Sequence, residues 1–252
     1  MPPQRSIQRG AIIALIVLLF GVAATATIDA MGWDLAWTAR FYQPGGPNNG
    51  WVHARDFPLN VLYDYGEIPG LALLAMSSAL YVVVLIGRAP RRYARPCMVL
   101  VLTIALGPGL LVNGILKDYW GRPRPAEISN FGGNKEFRPV WKPGGPGEGR
   151  SFTCGHCAIA FSLASGVSFY PVHPALSLVA LTVGIGYGIV MGIARIAQGG
   201  HFPTDVLWSG ILVLMLISLL YYALVKASIV KERQPRSISA AGMGSAKPKR
   251  GS

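Results

Sequence analysis

Six long stretches without a charged side chain constrain this 252-residue chain more than any other feature of its sequence. Each is about 16 to 20 residues long, enough for a helix to cross roughly 30 Å of hydrocarbon, although the fourth only barely reaches this length. They are Ala11–Ile28, Ile68–Gly87, Cys97–Leu116, Cys157–Val172, Ala175–Ala194 and Val206–Val225. Only 13% of the residues are charged, against roughly a quarter in soluble domains, and the stretches lack the polar outer faces that six helices of a soluble core need. The sequence therefore predicts an all-α membrane protein, a bundle of six transmembrane helices.

The net charge of +12 is unevenly divided among the segments that separate these stretches. The N-terminus, the second loop and the tail from Lys226 carry 13 basic residues and one acidic residue, Glu232, whereas the alternate segments carry 10 of each sign. By the positive-inside rule, both termini are predicted to be cytoplasmic and the balanced loops to face outward. Topology and attraction to anionic lipids at the cytoplasmic face explain the basic excess, so nucleic-acid binding is not expected.

The chain divides into a membrane domain and a tail. Residues 1–230 are predicted to form one integral membrane domain. Residues 231–252 are rich in Ser, Gly and basic residues and contain few apolar ones, so a disordered cytoplasmic tail is predicted. Arg5, Arg9, the first apolar stretch and Ala24-Thr25-Ala26 also imitate a signal peptide, but the stretch is long for that and a retained anchor is favoured.

Aromatic residues dominate the first outward loop, Asp29–Glu67. The favoured interpretation is a belt of amphipathic rings at the depth of the lipid headgroups. A rim that guides a lipid toward a site is the alternative.

Cationic side chains open the second outward loop. Lys117 ends the third stretch, and Arg124 follows in Gly121-Arg122-Pro123-Arg124-Pro125, where a proline fixes the backbone on either side of it. A lysine alone would be explained by snorkelling, but constrained cations so close together suggest a bound anion. At the far end of this loop, Gly155-His156 begins the fourth stretch, where free backbone N–H groups and the helix dipole attract anions.

The third outward segment combines a cation, an imidazole and a carboxylate in Arg195, His201 and Asp205. Each has an ordinary explanation by itself: Arg195 as a snorkelling residue, His201 as a solvated loop residue and Asp205 as a helix cap. The predicted topology nevertheless places them at the same outer end of the bundle as the cations of the second loop. A shared phosphate-binding pocket is therefore expected there.

These residues resemble the three-part signature of the type 2 phosphatidic acid phosphatase superfamily. The parts are Lys117, six residues and Arg124-Pro125; then Gly155-His156; then Arg195, five residues, His201, three residues and Asp205. The segment around Arg124, with Phe131-Gly132-Gly133 and Ser151-Phe152, is further similar to the bacterial lipid A phosphatases of that superfamily.

The resemblance implies a lipid phosphatase that works through a phosphohistidine intermediate. It assigns His201 as the nucleophile, Asp205 as the acceptor of its other ring N–H and His156 as the acid and base. It further implies that Lys117, Arg124 and Arg195 bind the phosphoryl oxygens, together with the helix start at Gly155 and Cys154. No metal and no cofactor are expected, since the outward loops lack a carboxylate cluster for magnesium and the cations already oppose the phosphoryl charge.

Two residues depart from the family pattern. Cys154 replaces a serine of the second part, so a weakly donating thiol stands where a hydroxyl would bind phosphate, and Ala194 replaces the serine before Arg195. Cys154 and Cys157 also form a C-x-x-C pair, which allows a membrane thiol-disulfide oxidoreductase as a rival function, or a disulfide that gates the phosphatase. The strand and helix context that such a redox motif normally has is not predicted.

The resemblance implies a bacterial cytoplasmic (inner) membrane location, a site on the periplasmic face and a phosphorylated membrane lipid as substrate. A lipid A-type substrate is expected. Undecaprenyl pyrophosphate, phosphatidylglycerol phosphate, phosphatidic acid and transfer of the phosphate to a second lipid stay open, as does the oligomeric state. A flippase-like or scaffold protein that only binds headgroups would need the cations but neither His201 nor Asp205.

Overall fold

A computed structural model describes residues 3–227 of the chain, and the predicted tail at 231–252 lies outside them. The described part is helical, with two isolated β-bridges in its loops. Its helices are α1 (Pro3–Ala30), α2 (Trp33–Thr38), α3 (Leu59–Tyr65), α4 (Ile68–Leu85), α5 (Ala94–Ile104), α6 (Lys117–Tyr119), α7 (Gly155–Phe161), α8 (Pro174–Ala197) and α9 (Pro203–Leu220). A π-helix, Ala105–Leu116, joins α5 to α6, and a second one, Tyr221–Lys226, follows α9. A 3₁₀ segment, Ser162–Phe169, continues α7.

Five segments of the described chain are long and apolar enough to cross a membrane. They are Gln4–Ala30, Leu59–Leu85, Arg91–Tyr119, Pro174–Ala197 and Pro203–Lys226. The fourth predicted crossing corresponds to a shorter apolar helix, Gly155–Phe169. Its 7 α-helical and 8 3₁₀ residues together span about 26 Å. The rise per residue is larger in a 3₁₀ helix than in an α-helix, so this segment is longer than an α-helix of the same number of residues. A helical membrane bundle is thus confirmed, while the sixth crossing and the orientation of the termini stay predictions.

The short α7 occupies the centre of the bundle. It packs against α4, the π-helix before α6, α8 and α9. Small residues permit close packing of α8 on α7 and on the 3₁₀ segment that continues it. A Cβ added to Gly188 would meet the Phe161 ring of α7, and one added to Gly184 would meet the Ala164 backbone of the 3₁₀ segment. The buried core around α7 includes Val112, Met191 and Val213, and α7 is therefore held by protein on several sides.

The helix α1 lies at the outside of the bundle, against α9. Its large apolar side chains Leu15, Ile16, Leu19 and Phe20 are exposed in the isolated protein. Hydrocarbon is the environment in which such a surface is stable.

The first and second outward loops pack together over the helix ends. Trp51 is buried, and its ring lies 5.3 Å from Tyr42 and 5.5 Å from Phe131 between centroids. Ile128 and Phe202 belong to the same cluster. The aromatic belt predicted for the first loop is therefore wrong for Trp51, whose ring joins two loops and the turn before α9 into one cap.

Candidate active site

His201 lies in the turn between α8 and α9 and is 2% exposed. Its Nδ1 is 2.7 Å from the Ser151 carbonyl oxygen. Because a carbonyl only accepts, Nδ1 carries the proton in this contact and Nε2 keeps its lone pair. Burial, followed by the positive charges of Arg195 and Arg124, places the pKa of His201 well below its usual value, and Lys117 acts in the same direction. The ring is thus a neutral imidazole that lies among cations.

Asp205 does not contact the His201 ring in the way that was predicted. Its Oδ2 is 3.9 Å from His201 Nδ1, beyond hydrogen-bond distance. The same oxygen accepts from Ser151 Oγ at 2.6 Å and from the Phe202 backbone N–H at 2.8 Å. Ser151 therefore bridges the two residues, since its hydroxyl donates to Asp205 while its carbonyl accepts from His201. The i, i+4 spacing could not reveal this, because the bridging residue comes from another loop.

Arg122 joins the first outward loop to the start of α9. Its side chain is fully buried, with Nη2 2.6 Å from Asp34 Oδ2 and Nη1 2.6 Å from Asp205 Oδ1. Nη1 also donates to Thr204 Oγ1 at 2.7 Å, and Nε donates to the Arg138 carbonyl at 2.9 Å. Burial opposes the charge of Arg122, but Asp205 and Asp34 raise its pKa above the usual value. Sequence reasoning missed this pair of ion contacts, since nothing in the chain links positions 34 and 122.

The predicted phosphate-binding cations lie close to the two histidines. Arg195 is 6% exposed, donates from Nη1 to Gln198 Oε1 at 2.7 Å and stacks over the Tyr63 ring at 4.6 Å. Lys117 Nζ is 3.4 Å from Asn113 Oδ1. Among the described residues, Nε of Arg124 and Nε of Arg195 are buried donors without a hydrogen-bond partner.

A cavity of about 650 Å³ adjoins these cations. Arg124 and Arg195 line it on one side, and Asn60, Tyr63 and Asp64 line it from the first outward loop. Gly200, the neighbour of His201 in the chain, also borders it. Its lining combines apolar surface with the charged side chains of Arg124, Arg195 and Asp64, which offer polar contacts to a headgroup.

His156 lies at the second position of α7 with its ring partly exposed. The ring stacks on Tyr63, with 5.5 Å between centroids and 15° between planes, and Nδ1 is 3.5 Å from Glu67 Oε1. The positive charges of Arg195 and Lys117 act to lower the pKa of His156, as they do that of His201. The structure therefore brings both predicted histidines to the same end of the bundle, around shared cations.

Gly155 and Cys154 have structural contacts at the start of α7. A Cβ at Gly155 would come within 2.8 Å of Asn113 Oδ1, so glycine allows α7 to approach the preceding π-helix. Cys154 is fully buried and forms a disulfide with Cys157, with Cα atoms 5.2 Å apart. Cys154 Sγ accepts from the Cys157 N–H, so it caps α7. A disulfide sulfur has no S–H to donate, which contradicts a phosphate-binding thiol at Cys154, and its burial is unfavourable for exchange with an external thiol.

No group of three or more His, Cys, Asp or Glu side chains that could hold a metal occurs within residues 3–227.

Fold and site together define a multi-span helical membrane protein with a cationic, histidine-containing site at one end of its bundle. The model of the PAP2 superfamily matches residues 96–229, more than half of the chain, and the chain belongs to this superfamily. The matched region includes all of the predicted site residues, but Asp34, Tyr63 and Glu67 lie before it.

The curated relatives include three bacterial proteins named lipid A 4'-phosphatase. The protein from Francisella tularensis subsp. novicida (strain U112) is 35% identical over 125 residues, which are 48% of this chain and 55% of the relative. The protein from Rhizobium leguminosarum is 34% identical over 105 residues (41% and 44%), and that from Rhizobium etli (strain ATCC 51251 / DSM 11541 / JCM 21823 / NBRC 15573 / CFN 42) is 35% identical over 114 residues (45% and 44%). The chain thus spans about half the length of the curated relatives it matches. No solved structure matches it.

Proposed function

We propose that the protein is a metal-independent membrane lipid phosphatase that removes a phosphate monoester through a phosphohistidine intermediate. The observation that carries this proposal is the hydrogen bond from His201 Nδ1 to the Ser151 carbonyl, at 2.7 Å. It leaves the Nε2 lone pair free on a neutral ring, which is the form of histidine that attacks phosphorus. Family membership and the names of the curated relatives support the same reaction.

In the first step, Nε2 of His201 attacks phosphorus in line with the leaving oxygen. The P–N bond forms from the Nε2 lone pair as the P–O bond to the lipid breaks, and the departing oxygen takes a proton from His156. The products are a neutral lipid alcohol, a phosphohistidine and an uncharged His156.

In the second step, water attacks the phosphohistidine. His156 accepts a proton from the water, the new P–O bond forms, and the P–N electron pair returns to Nε2 of His201. Inorganic phosphate leaves, and both histidines regain the protonation states in which they began.

The surrounding charges fit this sequence of steps. Lys117, Arg124 and Arg195 oppose the negative charge of the phosphoryl oxygens. Gly155 is proposed to donate its backbone N–H to the same oxygens. Asp205 stabilises the positive charge that the His201 ring gains, and it acts through Ser151. The phosphoryl charge is met by side chains, so no metal is required in this mechanism.

For the substrate, we propose a lipid A-type phosphate in the outer leaflet of a bacterial cytoplasmic membrane, with residues 1–230 as the catalytic domain. The cavity of about 650 Å³ beside Arg124, with Asn60 and Asp64 in its lining, supports a large hydroxylated headgroup. Undecaprenyl pyrophosphate and phosphatidylglycerol phosphate are alternative substrates. A second lipid that replaces water in the second step would turn the hydrolase into a phosphotransferase.

Anionic lipids are proposed as partners at the opposite, cytoplasmic face. Arg91, Arg92 and Arg95 line a cavity of about 480 Å³ whose other walls include Val84 and Leu85. Adjacent cationic and apolar walls suit a phospholipid headgroup together with the start of its acyl chain.

Phosphate release from purified protein tests the proposed reaction. We expect turnover of a lipid A-type substrate, loss of turnover in His201→Ala and near-normal turnover in the matched control His53→Ala, an exposed histidine of the first outward loop. Quenching during turnover should trap a phosphoenzyme that is labile in acid and stable in alkali, as phosphoramidates are. Full turnover in His201→Ala, or an acid-stable phosphoenzyme, would contradict the proposal.

A further inference from the structure

Two residues of the first outward loop contact the His156 ring. Tyr63 stacks on it, with 5.5 Å between centroids and 15° between planes, and Glu67 Oε1 lies 3.5 Å from its Nδ1. Both residues precede the region matched by the superfamily model, which begins at residue 96. These contacts are therefore contributed by the part of the chain that the family comparison does not cover.

The geometry divides the two nitrogens of His156 between two tasks. Nδ1 faces the Glu67 carboxylate, which can only accept, so a proton on Nδ1 is favoured. Nε2, on the other side of the ring, is then the atom that can give a proton to the leaving oxygen. Stacking on Tyr63 restricts rotation of the ring out of this orientation.

Electrostatics explains why the acid needs such a partner. A proton donor must carry its proton before the reaction, yet partial burial and the positive charges of Arg195 and Lys117 all oppose an imidazolium at this position. The charge of Glu67 and then hydrogen bonding to the Tyr63 backbone act in the opposite sense, but the pKa of His156 still lies below its usual value. Glu67 thus supplies negative charge to a ring whose other charged neighbours are the cations that bind phosphate.

We propose that Glu67 is a positioning residue for His156, which favours a proton on Nδ1 and directs Nε2 toward the leaving oxygen, with Tyr63 as the stacking support. This inference rests on the proposed phosphatase function and extends it. Glu67 touches no reacting atom, and its effect is confined to steps in which His156 delivers or accepts a proton. Removal of Glu67 should therefore matter most when the leaving group most needs a proton.

The test compares two phosphate monoesters in the same detergent micelles, one with an alkyl leaving group and one with a nitrophenyl leaving group. An alkoxide needs a proton to leave, whereas nitrophenolate leaves as an anion. For Glu67→Gln we expect kcat with the alkyl ester at neutral pH to fall about 10-fold or more, since an opposite charge at this distance shifts a pKa by roughly one unit or more. With the nitrophenyl ester the loss should stay below about threefold, and the alkaline limb of the alkyl-ester pH profile should move about one unit lower.

Asp56→Asn is the matched control. It removes one negative charge from the same loop, where Asp56 pairs with the exposed His53 at 2.9 Å. We expect it to leave both esters and the pH profile unchanged. Glu67→Asp, which keeps the charge on a shorter side chain, should recover part of the alkyl-ester activity.

Three outcomes overturn the inference. If Glu67→Gln lowers kcat equally with both esters, Glu67 has only a structural role. If kcat is unchanged with both esters, Glu67 has no role in the reaction. If the wild-type protein releases phosphate from neither ester, the proposed function itself fails, and this failure is recognisable because it precedes any substitution. A loss specific to the alkyl ester, with the shifted pH profile, supports the inference.

Discussion

The buried Arg122 provides the sharpest test of how the site is held together. Its guanidinium lies 2.6 Å from both Asp34 Oδ2 and Asp205 Oδ1 and has no exposure to solvent. Arg122→Met retains much of the side-chain volume but leaves two carboxylates buried without their cation. Breaking one partner of a buried ion pair costs about 3–5 kcal/mol, so we expect the free energy of unfolding to fall by at least about 3 kcal/mol.

A matched control exists within the same loop. Arg150 Nη2 lies 2.7 Å from Asp118 Oδ1, nearly the same distance, but these side chains are 59% and 49% exposed. Arg150→Met should therefore cost about 0–1 kcal/mol, as exposed ion pairs do. The two variants differ in burial and in the contacts that are lost, since Arg122 contacts two carboxylates and Arg150 contacts Asp118.

Equilibrium unfolding in detergent, followed by tryptophan fluorescence, measures both effects. Adding Asp34→Asn to Arg122→Met should recover part of the loss, because one of the two uncompensated charges is then removed. Equal destabilisation by Arg122→Met and Arg150→Met would refute the argument from burial. A double variant no more stable than Arg122→Met would refute the argument from uncompensated charge.

Three further predictions concern the site. Ser151→Ala removes the hydroxyl that donates to Asp205 but keeps the carbonyl that accepts from His201. Because a hydrogen bond to a charged group is worth roughly 1.5–3 kcal/mol, we expect kcat to fall about 10-fold or more with KM little changed. An unchanged kcat would contradict the proposed bridge through Ser151. The pKa of His201 is well below its usual value in the folded protein, so below about pH 6.5 the unfolded chain binds a proton at His201 that the folded protein does not. The free energy of unfolding should therefore decrease as the pH drops below about 6.5. Thermal scans should show a smaller decrease for His201→Gln. Treatment with EDTA should leave phosphate release unchanged, and a loss that Mg²⁺ restores would count against a metal-free mechanism.

Much of the fold was accessible from the sequence because hydrocarbon leaves a crossing segment little choice but a helix. Charge-free length therefore predicted the helical bundle, and five segments of the described chain have the expected length and hydropathy. The fourth stretch was the exception. Its helix changes to 3₁₀ geometry after Phe161, in the middle of a bundle where neighbouring helices pack closely against it, and hydropathy does not record such packing.

The candidate site was predictable where its residues follow one another at helix ends. Lys117, His156 and Arg195 each adjoin an apolar stretch, and Arg124 and His201 lie in the segments between stretches. The alternation of crossings is enough to place such residues at one end of a bundle. Motif spacing therefore indicates which residue types converge.

The partners of those residues depended on the tertiary structure. Ser151 separates Asp205 from His201, Asp34 reaches Arg122 across 88 positions, and Glu67 meets His156. These contacts join loops that are distant in the chain, and their distances follow from how the helices pack and how the first two outward loops fold over them. Local sequence determines which segments become helices and which charges lie at their ends. Side-chain pairing across loops depends on the packing of the whole bundle, because the partners are distant in the chain.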